Sequence, residues 1–124
     1  MTRDQRADIE RAADLYNRGR YLDCQEVLER LHLQCAADDQ PLVKALAMVA
    51  CGMHIHFHRG GGRGALNLMR QSLIILDDLR PTRDGIATGI LYDTLFAFVD
   101  EVQGRRKPGA WLLDRWLAPK IPLE

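Results

Sequence analysis

From Leu42 to Phe57 apolar residues recur at helical spacing without a break. Leu42, Leu46, Val49, Ala50, Met53 and Phe57 fall on one face, and Val43, Ala47, Met48, Cys51 and Ile55 make the other sides apolar too. A helix that is apolar on most sides must be surrounded, so this stretch predicts a central helix over about 41–58. The run Met53-His54-Ile55-His56-Phe57-His58 also alternates as a strand would. Helix is the stronger reading, because the 3.6-residue stripe continues through the run and a lone strand would leave its backbone groups without a partner.

Helices of ordinary length flank this one. The first spans about 2–17, with Thr2 and Gln5 in capping-box spacing, Asp4 at the positive end, and Ile9, Ala12, Ala13 and Tyr16 as a narrow apolar stripe. Gly19 stands where a C-terminal cap belongs. The second spans about 21–35 and buries Tyr21, Cys24, Val27, Leu28 and Leu31, while Asp23, Gln25, Glu26 and Glu29 take its other positions. After the Gly60-Gly61-Gly62 break a fourth helix runs to about residue 78, with Ala65, Leu68, Met69, Leu73 and Leu76 inward. A fifth is clear over 90–103, and a short last one spans about 108–117 with Trp111 and Trp116. The tail, A-P-K-I-P-L-E, is broken by proline and reads as extended. The fold class is therefore all-α, a bundle of five to six helices in one domain of 124 residues.

Seventeen Lys and Arg balance seventeen Asp and Glu, which argues against a nucleic-acid protein. No apolar run reaches the roughly 18–20 residues that a membrane span needs, and the charged start, M-T-R-D-Q-R-A-D, does not read as a signal peptide. Three cysteines without a paired motif imply reduced thiols and a cytoplasmic protein.

An internal repeat runs through this order. Tyr16-Asn17-Arg18-Gly19 aligns with Phe57-His58-Arg59-Gly60 at a period of 41 residues, and Val27-Leu28 then aligns with Leu68-Met69. Each copy resembles a stretched tetratricopeptide helical hairpin, which divides the chain into hairpins over 1–37 and 38–80 and capping helices over 81–124. The stretch from Tyr16 to Glu29 also resembles the F-N-x-G-x-[FY]-x-E-A-H-E-x-L-E signature of a bacterial and archaeal helical family of unknown function. Ala45 to Ala65 resembles that family's second signature, Q-x-x-x-Q-x-A-A-x-x-x-H-x-x-R-G-N-x-x-G-A, through His56, Arg59, Gly60, Gly64 and Ala65. Some members are labelled predicted metal-dependent hydrolases, so the resemblance implies a helical fold and a metal-assisted hydrolysis. Gln25 stands where the family has its first histidine, and Ala45 and Val49 where it has glutamines.

Three sets of residues qualify as sites. Glu26 and His56 form a candidate general acid/base pair, brought together if the second helix packs on the third. With Asp23, His54 and His58 they also make the candidate ligand set for zinc, manganese or iron. His54 and His58, at i and i+4, share a helix face, but no glutamate follows the first as a zinc-protease motif requires. Arg59, Gly61, Gly62 and Arg63 precede a helix start and could hold an anion, although no strand or G-K-[ST] accompanies them. No nucleophile stands out, since Ser72 lacks a base and Cys24 an evident histidine. The polar cluster falls short of a full catalytic set while the hairpins offer grooves. The leading expectation is thus a protein-binding or assembly module whose partner is another protein or a second copy. The alternatives are a metal-dependent hydrolase centred on Glu26 and His56, and anion or small-ligand binding at the Arg59 turn.

Overall fold

The computed structural model describes residues 1–105 and 113–124. Helix α1, Arg3–Asn17, begins with the capping box intact: the Gln5 amide donates to the Thr2 hydroxyl, and the Thr2 amide donates to the Gln5 side chain, each at 3.1 Å. It ends where Gly19 takes a φ of 80°, so that the Gly19 and Arg20 amides reach back to the carbonyls of Tyr16 and Leu15. Those two bonds make a Schellman cap. Helix α2, Tyr21–Gln34, follows at once. A single 3₁₀ turn, Ala37–Asp39, leads into α3, Gln40–His58, whose first turn holds Pro41.

The expectation of a central helix holds for α3. It buries Leu42, Val43, Ala45, Leu46, Val49, Ala50, Gly52, Met53 and His56, and it packs on α2 along one side and α4 along another. The alternating histidine run is helical to its end. Each helix packs chiefly on its neighbours in sequence: α1 on α2, α2 on α3, α3 on α4, Arg63–Asp77, and α4 on α5, Thr88–Gln103. A short α6, Asp114–Leu117, and an extended tail complete the described residues, which contain no strand. Trp116 on α6 is 87% exposed, while Trp111 lies outside the described residues.

The α3–α4 interface corrects one expectation. Gly64, in the first turn of α4, faces open space. The close approach is at Gly52, where an added Cβ would stand 3.1 Å from Met69 Cγ and 3.3 Å from the Ala65 carbonyl oxygen. Leu66, rather than the half-buried Leu68, joins Met69 on the buried face. In an exposed helix Gly→Ala gains about 1 kcal/mol. Here Met69 is fully buried and a backbone carbonyl cannot step aside, so Gly52→Ala is expected to lose about 1 kcal/mol instead. The midpoint of urea unfolding measures the sign.

The tail is held by a side chain from the far end of the chain. The Asn17 side-chain amide donates to the Ile121 carbonyl at 3.1 Å, and its oxygen accepts from the Ile121 amide at 2.8 Å. Asn17 thus stands in for one rung of a sheet and seats Ile121 in the core, 1% exposed. Further on, the Ala87 amide donates to the Pro122 carbonyl and the Glu124 amide to the Gly85 carbonyl, each at 2.9 Å. The tail is extended, as its prolines suggest, and packed.

Candidate functional site

His56 lies on the last turn of α3 and is 1% exposed. Its Nε2 is 2.7 Å from Oδ2 of Asp114, the first residue of α6, whose side chain is 0% exposed. Arg105, just past α5, grips the same carboxylate with both arms: Nη1 donates to Oδ2 at 2.8 Å and Nη2 to Oδ1. That hydrogen bond, with Asp114 and Glu101 as nearby negative charges, raises the pKa of the guanidinium above its usual value against the pull of burial. Aromatic edges close the site. Phe98 meets the His56 ring at 5.3 Å between centroids and 78°, and Phe57 meets it at 4.9 Å and 87°. The arrangement is a buried His–Asp–Arg chain that clamps α6 and the end of α5 onto the end of α3.

This corrects the expected partner of His56. Glu26 was expected to meet it, but the structure supplies Asp114, and Glu26 stands on the exposed surface of α2 among Asp23, Gln25 and Glu29. Helix geometry accounts for the difference. The buried face of α2 is Tyr21, Cys24, Val27, Leu28 and Leu31, and residue 26 is off that face. Asp23 is engaged on its own helix, where the Arg20 guanidinium lies 2.7 Å from its Oδ2.

The other candidates are dispersed. His54 and His58 do share a face, with ring centroids 5.2 Å apart, His54 half-buried and His58 exposed. Burial, then the neighbouring His58 and Arg59, lower the pKa of His54. Among the described residues no group of three His, Cys, Asp or Glu side chains converges as a metal site would require. Asp23, Glu26, His54, His56 and His58 are thus not gathered at one point among the described residues. At the glycine turn Gly60, Gly61 and Gly62 take φ values of 84°, 72° and 105°. The Gly61 amide is spent on the Ile55 carbonyl at 2.9 Å, capping α3, and Arg59 and Arg63 are exposed. Burial pushes the Cys24 thiol up to about 12, so it is a protonated core residue at neutral pH. The Ser72 hydroxyl donates to the Met69 carbonyl at 2.7 Å within its own helix.

Three aromatics from the end of α1, the start of α2 and the end of α3 meet one another. Tyr16 meets Tyr21 edge-on at 5.2 Å, and Tyr21 stacks on Phe57 at 6.0 Å and 14°. Residues 16 and 57 thus flank the first residue of α2. Residues 9–68, running from α1 into α4, match a family described as a domain of unknown function, DUF309. This segment is similar to DUF309. The DUF309 segment contains His56 but ends before Arg105 and Asp114, so the buried histidine takes its partners from the chain beyond it. Comparison with curated proteins finds no match, and comparison with solved structures finds none.

One surface feature separates from all of these. Between α2 and α3 lies an open groove of about 450 Å³ lined by Leu28, Leu33, Val43 and Ala47, with Glu29, His32 and Lys44 as its polar members. Leu33 is 86% exposed.

Proposed function

We propose that this chain is a non-catalytic protein-binding module, and that the α2–α3 groove receives the apolar face of a partner's amphipathic helix. The groove carries this reading. Its volume of about 450 Å³ suits a few anchoring side chains, and Leu28, Leu33, Val43 and Ala47 give it an aliphatic wall. Burying an exposed leucine such as Leu33 supplies about 1.5–3 kcal/mol. Glu29 and Lys44, of opposite charge, supply direction to an incoming helix. A hydrolase centred on Glu26 and His56 has less support, because Glu26 is exposed while His56 is sealed against Asp114.

The test is a photo-crosslinking residue placed at Leu33 in the producing cell, with one at Arg11 on α1 as the control. A discrete adduct from position 33 alone is expected, abolished by Ala47→Glu and weakened by Lys44→Glu. An adduct with another copy of this chain would make the module an assembly device. No adduct, or one that both substitutions leave unchanged, would overturn the reading.

A further inference from the structure

A helical anchor of the kind the groove would take stands on the chain itself. Leu113, Trp116 and Leu117 are all exposed. Leu113, the N-cap of α6, already has helical dihedrals, φ −61° and ψ −30°. The three side chains therefore stand at i, i+3 and i+4 on one helix face, the spacing with which helices anchor in grooves. Asp114 turns the other way, fully buried against His56 and Arg105, so the apolar face is held outward. Tryptophan is among the side chains that most often dominate such contacts.

This face cannot reach the groove of its own chain. Arg115 lies over the Phe57 ring at 5.1 Å and borders a cleft with Tyr21, so α6 sits where α2 begins and α3 finishes. The groove is at the other end, on the second half of α2 and the first half of α3. Phe57 and Ala47, the groove residue nearest to it along α3, are ten positions apart, roughly 15 Å of helix. The charges at the two ends are complementary. On the α2 side of the groove stand Glu26 and Glu29, with Arg30 beyond them toward α1. Beside α6 stand Arg115 and Lys120. All five are exposed.

We infer that the occupant of the groove is α6 of a second copy of this chain, with Trp116 against Leu33 and Ala47 and the basic side of α6 against Glu26 and Glu29. The inference rests on the helix-in-groove reading above and names its partner. Because anchor and groove lie at opposite ends, two copies set side by side in opposite directions bring each α6 to the other's groove. The contact is then made twice about one two-fold axis and closes as a dimer. The doubling matters, since one contact built on three side chains buries less than the roughly 1,200–2,000 Å² of a stable interface.

The experiment is sedimentation equilibrium of the purified full chain from about 1 to 200 µM, joined to photo-crosslinking from position 33 in the same sample. A monomer–dimer equilibrium with a dissociation constant of about 10 µM is expected. Trp116→Ala should weaken it about thirtyfold, the least that a dominant interface residue gives, and Ala47→Glu should do the same. Both variants should keep their helical content by circular dichroism, which separates lost pairing from a folding defect. The adduct should join two copies through a peptide that includes Trp116. A chain that stays monomeric, an association that both substitutions leave unchanged, an adduct on a different peptide, or a polymer that lengthens with concentration would overturn the inference. The two readings fail separately. A monomer whose position 33 captures a different protein in the producing cell removes only the second copy as partner, and no adduct in either experiment removes the groove reading as well.

Discussion

Asp114→Ala is expected to cost about 3–5 kcal/mol of folding stability, the usual penalty for removing one member of a buried ion pair. The substitution takes from Arg105 its bidentate acceptor and leaves the His56 Nε2, 1% exposed, without its carboxylate. It also releases α6 from α3, since Asp114 is the first residue of that helix. A domain of this size commonly has about 5–15 kcal/mol in total, so the loss is a large share. The thermal midpoint should fall by about 10–20 °C. Asp114→Asn should fall less, because an amide keeps one acceptor for either partner. A midpoint within about 2 °C of the parent for Asp114→Ala would mean that the pair contributes little.

Phe98→Ala is the second large effect. The side chain is 2% exposed and presents its edge to the His56 ring at 5.3 Å. Truncating a buried phenylalanine costs about 3–5 kcal/mol, through lost transfer energy and the cavity left behind. The cavity here opens beside the imidazole, so the damage reaches the His56–Asp114 contact as well. Phe98→Leu refills most of the space and should recover more than half of the loss. Urea unfolding measures both, with the slope unchanged if only stability moves. The costs of Phe98→Ala and Asp114→Ala should not add, since both act on His56.

The helices were legible because α3 declares itself through an unbroken stripe and α1 through a cap that the structure reproduces bond for bond. Cα–Cβ direction and 3.6-residue spacing are local properties, and local properties can be read from a string. The partner of His56 could not be read in that way. Asp114 is 58 positions away, beyond the DUF309 segment, on a four-residue helix too short to show a period. Adjacency of α2 and α3 suggested Glu26, yet the α2 stripe already set residue 26 among the outward positions. Consistent use of that stripe would have removed Glu26 from the site. Asn17 was visible only as part of a signature; its task, holding Ile121 in the core, depends on a tail more than a hundred residues later. The Gly52 contact shows the same limit. An isolated glycine within a helical pattern signals a close approach without naming the chain that approaches.

The central claim is that His56 serves the fold through Asp114 rather than a reaction through Glu26. The most direct test is a double-mutant cycle of His56→Ala and Asp114→Ala followed by urea unfolding. Contact predicts a coupling of about 1–3 kcal/mol, with the double variant much less impaired than the two single losses combined. Single losses that add to within about 0.5 kcal/mol would contradict it, and His56 would then have to be explained by something other than the clamp.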